Sequence, residues 1–342
     1  MSLKNLSVEI KNLKLLKSKL KNKQINQIYK KFEKSLQIKE KFAVAVSGGP
    51  DSLALAFLAK IYSLNKNIIS NFYIVDHGLR PESTKEANTV KKILKNYFIN
   101  AKILTWRGRK PTKNVQALAR KKRYELLFAE CEKFRINDIL LGHHQDDLIE
   151  NFFIRILRGS GIKGLVSFGK KTTINNINLW RPLIDHKKKD LVFLSKYIFN
   201  FYVKDPTNND DKYQRIKIRK LIKELQKNGF DTDKFYKTIR NLKYSNSVIN
   251  FYVNQNICKN SIFFEKKKKI ILNNKFFQQP HEVVFRAFSE SIKLIGKKYY
   301  PVRGKKLDKL INDLENNQSI RVTLGGCIVE KVNQTVIISK EN

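Results

Sequence analysis

Between residues 41 and 200 short apolar runs alternate with helical patterns. The runs are KFAVAV (41–46), NFYIVD (71–76), AKILTW (101–106), DILLGH (138–143) and the shorter NLWRPL (178–183). Each is too short for a helix and rich in strand-forming residues. Helical spacing fills the intervals near 52–64, 83–97, 114–135, 146–157 and 187–199. Such alternation predicts an α/β fold, a parallel sheet with helices on both faces. After DPTNNDDKYQR (205–215) the alternation stops. RIKIRKLIKELQKNGF continues as a charged helix, and one long helix is expected over about 231–260. SIFFEKKKKIILNN reads as a hairpin, helices are expected near 281–295 and 304–315, and the chain finishes with two strand-type runs about Gly325-Gly326. The pattern thus predicts a helical extension over 1–38, the main α/β domain over 39–225, and a smaller, mostly helical region over 226–342 with a terminal β-hairpin.

The junction of the first strand and helix is unusual: VAVSGGPDS spans residues 44–52. Gly48 and Gly49 lack a Cβ and let the backbone lie close to a ligand. The helix beyond them aims unpaired N–H groups and its positive dipole end at the turn, a ready anion site. A plain tight turn capped by Ser47, Asp51 or Ser52 explains the same residues. No Gly-Lys-Ser/Thr follows and no GxGxxG is present, so neither a Walker loop nor a dinucleotide fingerprint is supported.

Composition narrows the classes. At 342 residues with 42% hydrophobic content, two domains and a substantial core are expected. No apolar run approaches the roughly 20 residues that span a bilayer, and the leucines of the N-terminal stretch sit at helical spacing among lysines. A soluble cytoplasmic protein is expected. Cys131, Cys258 and Cys327 are far apart with no CxxC, which argues against a disulfide framework, a zinc ribbon or an iron–sulfur cluster. His143 and His144 have no obvious zinc partners, and a metal would arrive with nucleotide. The net charge of +39 points to a polyanion such as RNA, although a bias toward Lys, Asn and Ile alone produces basic surfaces.

Further polar clusters fall at strand ends, where ligands of such sheets gather. In VDHGLRPES (75–83), Asp76 suits a nucleotide's ribose or base, and equally a turn with Gly78 and Pro81. In LLGHHQDDLIENFFIRILRGSGIKGL (140–165), Asp147 and Glu150 share a helical face and could hold Mg²⁺ or an ammonium group, or simply complement a helix dipole. Arg155 and Arg158 repeat that spacing before the basic loop containing Lys163, and Arg120 and Arg123 repeat it on NVQALARKKRYELL (114–127). Phosphate contact and a solvated helix end both account for them.

Taken together, SGGPDS, VDHGLRPES, NVQALARKKRY, GHHQDDLIENFFIRILRGSGIKGL and RPLI…K…DPTN resemble, in order and approximate spacing over about residues 41–220, the tRNA(Ile)-lysidine synthetase family. That family belongs to the PP-loop ATP pyrophosphatases, with the adenine nucleotide α-hydrolase-like fold. The resemblance implies ATP-dependent ligation of lysine to carbon 2 of the wobble cytidine of a minor tRNA(Ile) with a CAU anticodon, through an adenylated base, releasing pyrophosphate and AMP. It implies ATP contacts at Ser47, Gly48, Gly49, Pro50, Asp51, Ser52, Asp76 and His77, and catalysis by Asp51, Asp147, Glu150 and Arg120. Asp51 and Asp147 would hold Mg²⁺, and Arg155, Arg158, Lys163, Arg215 and Arg219 would contact tRNA. Free lysine and ATP are the other partners, no membrane is involved, and a homodimer is left open. Two alternatives remain: a PP-loop tRNA thiolase, and a non-catalytic RNA-binding protein.

Overall fold

The computed structural model describes residues 14–111, 114–203, 214–266, 268–297, 302–317 and 319–341. The chain divides into two compact units, Met1–Tyr236 and Lys237–Asn342. The expected DPTN segment, residues 205–208, lies outside the described residues.

The first unit is built on a six-stranded sheet. Its strands are β1 (Phe42–Val46), β2 (Ser70–Asp76), β3 (Ala101–Thr105), β4 (Asp138–Leu140), β5 (Lys171–Ile174) and β6 (Ile177–Trp180), in the order β3-β2-β1-β4-β6-β5. Every pairing is parallel except β5 with β6. Alternation along β1 sends Phe42, Val44 and Val46 into one core and Ala43 into another, so the sheet is covered on both faces. The helices are α1 (Lys23–Lys34), α2 (Pro50–Lys66), α3 (Ser83–Lys95), α4 (Val115–Lys133), α5 (Gln145–Ile156), α6 (Ile162–Leu165), α7 (Lys188–Phe199) and α8 (Gln214–Lys227). Helix α2 is apolar almost all round, and Leu53 to Ala59 are fully buried. Ile25, Ile28, Tyr29 and Phe32 of α1 join the same core.

Two features depart from the sequence pattern. Strand β5 was not expected; Asn175 and Asn176 both take positive φ and turn it back onto β6. This is the two-residue hairpin geometry that normally advertises itself with glycine. The terminal run is also not a lone hairpin. In the second unit, β7 (Ser261–Phe264), β8 (Lys269–Leu272), β9 (Ser319–Leu324), β10 (Cys327–Val332) and β11 (Thr335–Lys340) form one antiparallel sheet in the order β7-β8-β11-β10-β9. Asn333, at φ 55°, breaks what looked like a single run into β10 and β11. Helices α10 (His281–Gly296) and α11 (Gly304–Asn316) pack on this sheet through Val284, Phe288, Leu307 and Ile311. The long helix α9 (Thr232–Asn260) carries the boundary between the units.

Chain direction places the site. From β1 the chain builds β2 and β3 on one side and then crosses to β4 on the other. The crevice at the carboxyl ends of β1 and β4 is therefore the topological switch point, the place where open α/β sheets bind ligands. Gly48 sits there with φ +86°, and its carbonyl accepts from Val203 N at 2.9 Å. A Cβ on Gly48 would lie 2.6 Å from Val90 Cγ2. Gly48→Ala should therefore lower stability by about 1–3 kcal/mol, seen as a lower urea midpoint with an unchanged slope.

Candidate active site

Ser47 to Ser52 close into a compact anion cradle. Ser52 Oγ accepts from Ser47 N at 3.1 Å and donates to the Gly49 carbonyl at 3.0 Å, while Ser47 Oγ lies 3.1 Å from Ser52 Oγ. Gly49 is the N-cap of α2 and makes no side-chain cap bond, and Pro50 opens the helix where its missing N–H costs nothing. The first-turn N–H groups of α2 accordingly face a cavity of about 310 Å³ lined by Ser47, Asp51, Asp76, His77, Arg120 and His143, among others.

The turn after β4 comes against this cradle. A Cβ at Gly142 would lie 3.2 Å from Ser52 N and 3.3 Å from the Asp51 carbonyl carbon. Two residues on, the buried His144 caps α5: its Nδ1 accepts from Asp146 N at 3.2 Å, and Asp147 Oδ2 accepts from His144 N at 3.0 Å. With Nδ1 accepting, the proton of the neutral ring is on Nε2. That nitrogen lies 3.5 Å from both Asp51 Oδ2 and Asp147 Oδ2. Burial disfavours a charged imidazole here, but the Asp51 hydrogen bond and the carboxylates of Asp147 and Asp146 raise its pKa nonetheless. For Asp147, burial acts upward and is outweighed by His144, His143 and the His144 N–H, which hold the carboxyl below its ordinary value.

Glu150 lies on the same face of α5 as Asp147, as its spacing implied. It is buried and takes Arg219 in a two-point pair, Nε to Oε1 at 2.5 Å and Nη2 to Oε2 at 3.3 Å. Burial raises its pKa in spite of that pair. Arg219 is brought in by α8, and Phe152 and Phe153 of α5 meet the rings of Phe230 and Phe235. Arg219 thus engages a carboxylate, a contact 69 residues away in sequence that spacing did not suggest.

Asp76 is spent on its turn. Oδ1 accepts from Gly78 N and Ser83 Oγ at 3.0 and 2.9 Å, and Oδ2 from Thr84 Oγ1 at 2.7 Å. The turn, one of its two sequence assignments, thus takes three bonds on this carboxylate, which also lines the cavity. His77 Nε2 accepts from Arg123, and burial followed by that guanidinium pushes its pKa down to about 4. Arg120 is exposed at the cleft, bonded to the Tyr124 hydroxyl at 3.2 Å. Arg155 lies in the last turn of α5, Arg158 donates to Gln214 at 3.3 Å, Lys163 is exposed on α6 and Arg215 is exposed on α8.

Residues 18–225 match the PP-loop domain family. A tRNA(Ile)-lysidine synthase from Orientia tsutsugamushi is 36% identical over 317 residues, covering 88% of this chain and 70% of that protein. One from Wolbachia pipientis wMel is 33% identical over 307 residues, with the same shares. The chain belongs to the tRNA(Ile)-lysidine synthase family. Among solved structures, the U34-tRNA thiolase NcsA from Methanococcus maripaludis with its [4Fe-4S] cluster superposes with a TM-score of 0.55 at 20% identity, covering 65% of this chain and 79% of that one. That likeness shows the PP-loop fold alone.

Three buried polar atoms around the cavity have no hydrogen-bond partner: Asp51 Oδ1, His77 Nδ1 and His143 Nδ1. The first is a carboxylate oxygen that fits Mg²⁺, an ion that binds through one or two carboxylates plus substrate phosphates. Among the described residues no cluster of three or more His, Cys, Asp or Glu could hold a metal by itself. His143 is held neutral, its pKa pushed down to about 3 by burial and the nearby Arg181, Arg120 and Arg215 despite Asp147.

Sequence spacing had missed His144. A readable signal existed, a residue able to cap three positions before Asp147, but histidine is an uncommon cap. For Asp76, burial alone would raise the pKa, whereas Thr84, Gly78 and Ser83 lower it. Its stabilising share is present above the unfolded value of about 3.9 and is lost as pH falls through the lower folded value. Asp76→Asn should flatten the acid limb of stability measured by urea unfolding from about pH 5 to about pH 2.

Proposed function

We propose that the chain ligates lysine to carbon 2 of the wobble cytidine of a minor tRNA(Ile) with a CAU anticodon, using ATP and releasing pyrophosphate and AMP. The observation that carries this is the meeting of the phosphate cradle with two carboxylates, Asp51 and Asp147, across one buried imidazole. Activating a base oxygen with ATP needs a place for the pyrophosphate. Joining an amine afterwards needs carboxylates beside the same phosphate.

The cytidine's carbonyl oxygen attacks the α-phosphorus and pyrophosphate leaves. Lysine's amine then adds at carbon 2 and AMP departs with the oxygen. Ser47, Gly48, Gly49, Pro50 and Ser52, with the N-terminus of α2, hold the leaving pyrophosphate. Asp51, with its unpartnered Oδ1, and Asp147 would hold Mg²⁺, which supplies neutralisation of phosphate charge. His144 keeps both carboxylates at fixed separation. His77, with Asp76 shaping its turn, lines the nucleotide cavity.

The amine has an unperturbed pKa of about 10.4 and has to lose a proton before it attacks. Asp147, held ionised, is left to the metal, and Glu150, whose pKa burial raises, meets the ammonium group and accepts its proton. Arg219 orients Glu150. Arg120 at the cleft mouth stabilises phosphate charge. Arg155, Arg158, Lys163 and Arg215 line the approach of the RNA backbone, and the unit after residue 236 adds a basic surface for the rest of the tRNA, in keeping with the net charge of +39.

The cysteines support chemistry without sulfur. Burial pushes the Cys131 and Cys327 thiols up to about 12 and about 11, which leaves them protonated, and Cys258 is exposed on a helix. Among the described residues no helix is long and apolar enough to cross a membrane, in keeping with action on tRNA in the cytoplasm.

Asp51→Ala should cut tRNA-dependent pyrophosphate release by at least about 100-fold while tRNA affinity changes little. Release measured at saturating tRNA decides it, and near wild-type release removes Asp51 from the site.

A further inference from the structure

A second cavity, of about 410 Å³, lies beside the first, walled by Trp106, Arg109, Lys110, Leu118, Lys121 and Lys122. Its position follows from the sheet. Trp106 directly follows β3, one strand over from His77 at the end of β2, and its N–H donates to the Asp76 carbonyl at 2.9 Å. The His77 and Trp106 rings meet edge to face with centroids 6.5 Å apart. Lys110 lies over the indole at 4.4 Å, close enough to Gly78 that a Cβ there would meet its Cε at 3.3 Å. The wall between the two cavities is thus the turn that Asp76 staples.

The lining has a consistent chemistry. Four cations face one carboxylate, Glu125, which pairs with Lys122 at 3.0 Å and Lys121 at 3.9 Å. Beside them are the Trp106 indole, with Lys110 over one of its faces, and the exposed side chain of Leu118. Cations alone suit any anion, and an indole alone suits any apolar group. The two combined on one cavity suit a nucleotide, which offers a phosphate and a flat π-face together.

We propose that this cavity docks one nucleotide of the RNA next to the target cytidine, with its base against Trp106 and its phosphate on Arg109, Lys121 and Lys122. The proposal rests on the tRNA reading above. The His77–Trp106 contact joins the linings of the two cavities, so an RNA chain whose cytidine enters the first has the second beside it. Holding the neighbour fixes the position of the reacting base, since stacking tolerates any base while the backbone contact sets the register.

The test uses the full chain and a tRNA transcript with a CAU anticodon. The chain has two tryptophans, so tRNA should quench the emission of the wild type, and Trp106→Phe, which keeps Trp180, should lose that quench. Trp106→Ala should raise the tRNA Kd by about 10-fold with the ATP KM unchanged. The variant Lys121→Ala/Lys122→Ala should reduce the slope of log affinity against log salt by about one. An equal quench in Trp106→Phe, a quench by ATP alone, or an unaltered salt slope overturns the proposal. A wild type that binds and quenches with tRNA but incorporates no lysine overturns the functional reading and leaves the docking site standing.

Discussion

The site depends on one close approach. The turns after β1 and β4 lie backbone against backbone, with so little room at Gly142 that any side chain there would press on Ser52 N at 3.2 Å. This contact brings the N-termini of α2 and α5 together, so two helix dipoles converge at the carboxyl ends of β1 and β4. It also sets Asp51, in the first turn of α2, and Asp147, in the first turn of α5, each 3.5 Å from the His144 Nε2. Two like charges close together oppose one another, and the buried ring, whose N–H on that nitrogen is in reach of both and whose pKa they raise, offsets the repulsion. The Asp146 N–H bond to Nδ1 selects this tautomer.

Neutral groups matter in a chain with so many cations. His77 and His143 line the cavity and are kept uncharged by burial and by arginines. They present polar atoms there without adding further positive charge. The arginines closest to the carboxylates are not simply phosphate ligands. Arg219 holds Glu150 in a two-point pair, and burial raises that carboxyl's pKa in spite of it. Exposed cations, among them Arg120, Arg215 and Lys121, stand in solvent, where salt screens them.

Much of this was legible in the pattern. The apolar runs at 41–46, 71–76 and 101–106 became β1, β2 and β3 within a residue or two, because both-face burial demands continuous apolar strands. The SGGPDS turn fell where the strand-to-helix switch required it. What escaped detection was local turn chemistry without glycine: Asn175-Asn176 made β5 into an antiparallel edge, and Asn333 split the terminal run into two strands. Contacts between distant residues also escaped, because spacing reports only neighbours along one element. Arg219 with Glu150 and Asp51 with His144 depend on how α8 and the two strand ends come together. Asp76 is intermediate. Its residue type was noticed for nucleotide contact and for a turn, and only the three bonds it accepts show how its carboxylate is used.

The account stands most directly on the identity of the group transferred. Full-length protein, ATP and isotopically labelled lysine are incubated with a tRNA carrying a CAU anticodon, and the digested nucleosides are resolved by mass spectrometry. The account predicts one cytidine derivative that gains lysine with loss of water, carries the label and requires ATP. A tRNA that acquires sulfur instead, or that returns unmodified although ATP is converted to AMP and pyrophosphate, contradicts it.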